Sequence, residues 1–216
     1  MIMDEAFIRG EISSNPATYI PPLKGKKKVS RQAASEDDRQ KIELHCKDNL
    51  ISTMMYFMLL TGARKGEAVA LQEKDINRKE RTASITKSCA WDGARPIIKE
   101  PKTESGERQL LISDKLMEVL PKYKNKETYI FFPEGLPNRT PLDKAIRKYK
   151  DINGISSTPH QLRHSYASML HSAGIDVKDA QHLLGHSTIA MTQDIYTHLE
   201  EEHKKSVAKQ INKYLK

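Results

Sequence analysis

The apolar run around Met54, Met55, Tyr56, Met58, Leu59 and Leu60, broken at Gly62, limits the fold more than any other feature of the chain. A helix apolar around most of its circumference must be enclosed by other elements, so a domain has to be wrapped about it. Its methionines therefore read as packing rather than as a cofactor box. With 216 residues the chain can bury a substantial core in one domain and still carry an extra segment, but two large domains would not fit.

Capping chemistry marks out the elements around that helix. Ser35 followed by Asp38 predicts a helix running to about Lys47, ahead of the apolar one. Between Arg81 and about Ser113 the pattern turns to short segments rich in Ile, Thr and Ser. Turn signals at Asp92-Gly93 and Ser105-Gly106 there predict three antiparallel strands. Helical periodicity returns at Asp114 to Tyr123 and at Leu142 to Lys150, across a loop holding Pro133, Gly135, Pro137 and Pro141. Pro159 and Gly174 bracket one further helix, and Asp176 and Gly185 bracket the next. Ser187 then caps a short helix carrying Tyr196, and Glu200 to Lys216 reads as a separate charged helix with Val207, Ile211 and Leu215 recurring every fourth residue. The expected architecture is mainly α with a small three-stranded antiparallel β-sheet, an α+β fold.

Lys and Arg number 36 against 28 Asp and Glu, a net charge of +8 that favours a polyanionic partner. No apolar run is long enough to span a bilayer, and Met1 to Glu5 lacks a signal-peptide layout, so a cytoplasmic location is expected and a membrane partner is not. Cys46 and Cys89 have no CxxC spacing and read as reduced, structural thiols. Residues 1–34 read as a connector: a short helix near Asp4 to Glu11, then Asn15-Pro16, Pro21-Pro22 and the basic run Lys24, Lys26, Lys27, Lys28. That run reads equally as solvated linker or as a strap on phosphates.

Four clusters carry candidate chemistry: Thr61-Gly62-Ala63-Arg64-Lys65-Gly66-Glu67, Lys102-Thr103-Glu104-Ser105-Gly106-Glu107-Arg108, His160-Gln161-Leu162-Arg163-His164, and Leu184-Gly185-His186 with Ile195-Tyr196-Thr197-His198. Alone, each has an ordinary explanation as a cap, a solvated hairpin charge or a packed histidine. In this order and spacing they resemble the signature of the tyrosine recombinase, or phage integrase, family over roughly Ser35 to Lys216. That signature runs T-G-x-R-x-x-E, a hairpin K-T-x-x-S-x-R, H-x-L-R-H, L-G-H, and a Tyr ten residues after the last His.

The resemblance implies site-specific DNA recombination or integration by transesterification through a 3′-phosphotyrosyl intermediate, with neither ATP nor a metal ion. Residue chemistry agrees with it. Arg64 and Arg163 suit the charged oxygens of a pentavalent phosphorane, and Tyr196 is the nucleophile. His160 is the general base, Lys102 gives a proton to the departing 5′ oxygen, His186 hydrogen-bonds a phosphate oxygen, and Glu67 orients Arg64 or His160. Lys24, Lys26, Lys27, Lys28 and Arg108 are the candidate DNA contacts, although Arg108 and Lys99 read as readily as exposed hairpin charges. His164, Tyr166 and His198 read as packing or supporting residues.

The family likeness further implies double-stranded DNA attachment sites as partner, accessory DNA-bending or excision factors, and assembly into a tetramer on DNA through the C-terminal helix, with a monomer in the absence of DNA. It assigns residues 1–34 to a remnant of a core-binding domain helix plus basic linker, and 35–216 to the catalytic domain. Because most of the core-binding domain is missing, a shortened, recombination-deficient regulator or competitor is the alternative. A metal hydrolase built on His160/His164 and His182/His186 is disfavoured, since Gln161 and Leu183 stand where H-E-x-x-H chemistry needs a Glu.

Overall fold

The computed structural model describes residues 2–19, 33–100 and 106–214, and the chain divides into two units, Met1–Ser30 and Arg31–Lys216. The basic run from Lys24 to Lys28 lies outside the described residues.

In the first unit, α1 spans Ile2–Ile8 rather than beginning near Asp4, and a single 3-10 turn follows at Pro16–Tyr19. Asn15 Nδ2 donates to Asp4 Oδ1 at 2.7 Å, and Arg9 pairs with Glu5 at 2.8 Å. Ile2, Met3, Phe7 and Ile8 are exposed.

The second unit is assembled around α3, Leu50–Thr61, which buries nine of its twelve residues, Met54, Met55, Phe57 and Met58 completely. Asn49 caps it by accepting from the N–H groups of Ile51 and Ser52, and Gly62 closes it in the left-handed conformation. Against α3 lie α2 (Glu36–Leu44), α4 (Lys65–Ala70), α5 (Asp114–Val119), α6 (Arg139–Asn153) and α7 (Pro159–Ser172). Two more helices, α8 (Val177–Leu184) and α9 (Ile189–Tyr214), pack with α7 to form a second, smaller apolar cluster.

Among the described residues there are five strands, four of them within 81–113 where three were expected: β1 (Ile76–Asn77), β2 (Thr82–Ile85), β3 (Ser88–Asp92), β4 (Arg95–Lys99) and β5 (Arg108–Leu111). They form two sheets. One is three-stranded and antiparallel, in the order β1-β2-β5, with Thr82 opposite Leu111 and Ile85 opposite Arg108. The other is the β3-β4 hairpin, turned at the Asp92-Gly93 signal. The expected small three-stranded antiparallel sheet is present, but it takes β1 from ahead of Arg81, because among the described residues the β3-β4 hairpin pairs with itself and packs on α4. Gly66 permits the close approach: a Cβ there would sit 2.3 Å from Cys89 O.

Other boundaries differ from expectation: α2 ends at Leu44 rather than near Lys47, and α5 ends at Val119, short of Tyr123. Helix α6 starts at Arg139, so Pro141 lies in its first turn, where the missing N–H has no intrahelical acceptor to lose. Tyr196 and the charged tail share the single 26-residue α9, because no Gly or Pro falls between Ile189 and Tyr214 to end it.

The entry to α7 is fixed by a buried carboxylate. Asp38, 2% exposed in the first turn of α2, accepts hydrogen bonds from the backbone N–H and hydroxyl groups of both Ser156 and Ser157. Burial raises its pKa, but the Ser157 and Ser156 donors outweigh that and hold it below the usual value. Thr158 then caps α7 with Pro159 in its first turn, which brings Arg163 back beneath Gly62.

Candidate active site

Three arginines far apart in sequence meet at the C-terminal end of α8. The last carbonyls of a helix have no intrahelical donor and carry partial negative charge. Here each of three successive ones takes a different guanidinium. Leu183 O accepts from Arg108 Nε at 3.0 Å, Leu184 O from Arg163 Nη2, and Gly185 O from Arg64 Nη2 at 2.9 Å. Arg163 also donates through Nη1 to Gly62 O at 2.8 Å. Gly185 is required twice over, by its φ of +63° and because a Cβ would lie 2.8 Å from Arg108 Cδ.

Glu67, 5% exposed, ties two of these groups together. Its carboxylate accepts from Arg64 Nη1 at 2.8 Å and from the Arg64 backbone N–H at 2.7 Å. It also accepts a two-pronged contact from Arg108, Nη1 at 3.0 Å and Nη2 at 2.8 Å. Burial works to raise the Glu67 pKa, but Arg108 and then Arg64 bring it down to about 2. Burial and the like charge of Arg64 draw Arg163 down to about 9, still protonated at neutral pH. Arg64 and Arg108 thus share one carboxylate, while Arg163 is held by carbonyl oxygens alone, leaving a surplus of positive charge at the end of α8.

His186, directly after the turn, is 6% exposed, and its Nδ1 lies 2.8 Å from Thr192 Oγ1 on α9. Burial first, then Arg163 and Arg64, push its pKa down to about 3, so the ring is neutral. Together with Arg108, Glu107, Gln109, Gln181, His182 and Leu183 it lines a groove of about 500 Å³. His160 and His164 stand one turn apart on α7, Nε2 to Nε2 at 3.2 Å with the rings edge to face. Among the described residues no group of three or more His, Cys, Asp or Glu is arranged to hold a metal ion.

The structure thus brings Arg64, Glu67, Arg163 and His186 to one place, while Tyr196 is held elsewhere. Its side chain is buried in the smaller apolar cluster with Tyr166, Ala167, Leu170, Ala180 and Leu184. The hydroxyl donates to Ile175 O at 3.3 Å, and the ring meets His171 edge-on at 4.8 Å. Burial, with Asp176 and Tyr166, raises the phenol pKa, and no arginine opposes them.

Arg108 needs correction: it is not an exposed hairpin cation available to DNA, because its side chain is 5% exposed and three of its N–H groups are engaged by Glu67 and Leu183 O. Lys99 is exposed at the end of β4, and Lys102 lies outside the described residues.

The model of the phage integrase family matches residues 28–203. This chain belongs to that family. Among its integrase relatives, the ICEBs1 integrase of Bacillus subtilis is 29% identical over 231 residues, covering 99% of this chain and 63% of the relative. Tyrosine recombinase XerD of Rickettsia bellii is 30% identical over 209 residues, covering 88% of this chain and 67% of its own length. The chain therefore spans a little under two thirds of the ICEBs1 integrase.

Solved structures share the fold. The Tn1549 transposon integrase in complex with a circular intermediate DNA superposes with a TM-score of 0.69 at 18% identity, over 89% of this chain and 70% of that one. The catalytic domain of bacteriophage HP1 integrase superposes with 0.56 at 24% identity, over 82% and 94%. The mostly helical integrase fold with small antiparallel sheets is the architecture expected from sequence. Among the described residues no helix is long and apolar enough to cross a membrane.

Two contributors escaped the sequence reading. Thr192, fully buried against His186, was detectable only as a threonine one turn before Tyr196 on the same helix. Asp38 looked like an ordinary acidic first-turn residue, and nothing local reveals its serine partners 118 and 119 residues away.

Proposed function

We propose that this chain is the catalytic part of a site-specific DNA recombinase that breaks and rejoins DNA by transesterification. In this reading residues 35–216 are the catalytic domain and residues 1–34 hold a core-binding-domain helix with its basic linker. The observation that carries it is the excess of guanidinium over carboxylate at the end of α8, held in place before any ligand binds. A scissile phosphate entering there would meet Arg64 and Arg163, each with N–H groups not spent on the protein, and the neutral ring of His186.

The chemistry assigns one role to each group. Tyr196 Oη attacks phosphorus and the bond to the 5′ oxygen breaks; the phenol proton passes to His160, and Lys102 protonates the departing oxygen. A 3′-phosphotyrosyl bond and a free 5′ hydroxyl result. One phosphoester replaces another, so no ATP is consumed, and the guanidinium groups supply the charge neutralisation that metal ions supply in two-metal nucleases. Attack by another strand's 5′ hydroxyl reverses the step. Because the phenol is occupied by Ile175 O, α9 must shift before attack.

The partner is duplex DNA carrying attachment sites, contacted also by Lys24, Lys26, Lys27 and Lys28, with accessory bending or excision factors. Assembly into a tetramer on DNA uses α9, whose Val207 and Ile211 are exposed one turn apart. The regulator reading draws no support from relatives that bear the names of integrases and recombinases.

Nicked DNA bearing the native attachment site, incubated with the protein and run on a denaturing gel, tests the proposal. A covalent adduct is expected, absent in Tyr196→Phe and retained in Tyr166→Phe. An adduct that persists in Tyr196→Phe refutes it.

A further inference from the structure

Thr192 has no exposed surface, and its hydroxyl makes a single hydrogen bond, to His186 Nδ1 at 2.8 Å. Three other helical hydroxyl groups return their hydrogen to the carbonyl four residues back: Thr61 to Phe57 O, Ser165 to Gln161 O and Ser168 to His164 O. Thr192 does not. Among the described residues its one hydrogen-bond partner is the imidazole nitrogen.

The direction of that bond follows from satisfiability. A neutral imidazole carries one N–H and one lone pair. If Nδ1 held the hydrogen and donated to Oγ1, the threonine hydrogen would be sealed in the interior with nothing to accept it, a state folded proteins avoid. If Nδ1 accepts, both groups are satisfied and the ring hydrogen must sit on Nε2. The ring is neutral because burial and the surrounding arginines oppose its protonation. Nε2 has no partner among the described residues, and the residue lines the groove shared with Arg108, Leu183 and Gln181.

We propose that Thr192 is a positioning residue whose hydroxyl, by donating to Nδ1, holds His186 as the Nε2–H tautomer and so presents a hydrogen-bond donor to a phosphate oxygen. This rests on reading His186 as a phosphate ligand. A phosphate oxygen only accepts, so the opposite tautomer would face it with a lone pair and weaken the transition state. Thr192 lies one turn before Tyr196 on α9, and the bond to His186 is already made while the phenol is held by Ile175 O.

Imidazole nitrogen and carbon chemical shifts of His186 in the DNA-free protein test the assignment without any activity. The Nε2–H tautomer is expected in the wild type and in Thr192→Ser, which keeps the hydroxyl, and a mixture in Thr192→Val, which keeps the shape. On nicked DNA, covalent adduct formation should slow roughly tenfold in Thr192→Val and recover in Thr192→Ser, with DNA affinity unchanged. An Nδ1–H signal in the wild type overturns the proposal, as does a valine variant matching the wild type in both measurements. The wild-type spectrum decides the tautomer even where the valine variant does not fold. A wild type that never forms the adduct sinks the recombinase reading and leaves the tautomer measurement standing.

Discussion

Replacing Glu67 with Gln removes the one anion among three arginines while preserving size. Its folded pKa of about 2 stands against an ordinary 4.5, a difference equivalent to about 3 kcal/mol of folding stability. Because the folded value is the lower one, that stability is complete above pH 4.5 and is lost as pH falls toward 2. Integrated over the titration, about 2 kcal/mol of it is gone by about pH 3. The variant should lose about 3 to 5 kcal/mol at pH 7, since Arg108, 5% exposed, is left as an unopposed charge. Urea denaturation at a series of pH values should give a gap between wild type and variant that is widest near neutrality and closes by about 2 kcal/mol on the way to about pH 3. A pH-independent gap, or a variant within about 1 kcal/mol of the wild type at neutrality, would refute the claim that Glu67 holds the arginines together.

Gly185→Ala forces a Cβ onto Arg108 and strains a left-handed residue; a loss of about 1 to 3 kcal/mol is expected by thermal denaturation, with weaker binding to duplex DNA in a salt titration. Asp38→Asn withdraws a charged acceptor from four donors, so stability should fall by about 2 to 3 kcal/mol in urea, while the rate of adduct formation by the folded fraction stays unchanged. Ile211→Asp, on the exposed stripe of α9, should abolish higher-order complexes on native gels and leave the first covalent attack intact.

Elements bounded by local chemistry were legible in the sequence. Ser35, Pro159, Asp176 and Gly185 each act on their own neighbours, and the helix ends they cap stand where the residues indicate. Non-local pairing was not. The partner of β5 is β2, across the whole β3-β4 hairpin, and the two residues of β1 lie ahead of the region that read as strand. The candidate site divides along the same line. Arg64, Arg163 and His186 were visible through motif spacing, whereas the burial of Arg108 depends on Glu67, 41 residues earlier, and on a carbonyl 75 residues later. The resting place of Tyr196 depends on Ile175 O, a backbone atom whose neighbours no spacing rule reveals.

The guanidinium groups at the end of α8 are aimed by peptide oxygens, which every amino acid possesses. Recoding the outward face of that helix, at Lys178 or Asp179 for instance, leaves the aiming atoms untouched. That surface can therefore be varied widely without disturbing the arginines, provided the glycine that turns the chain is left alone.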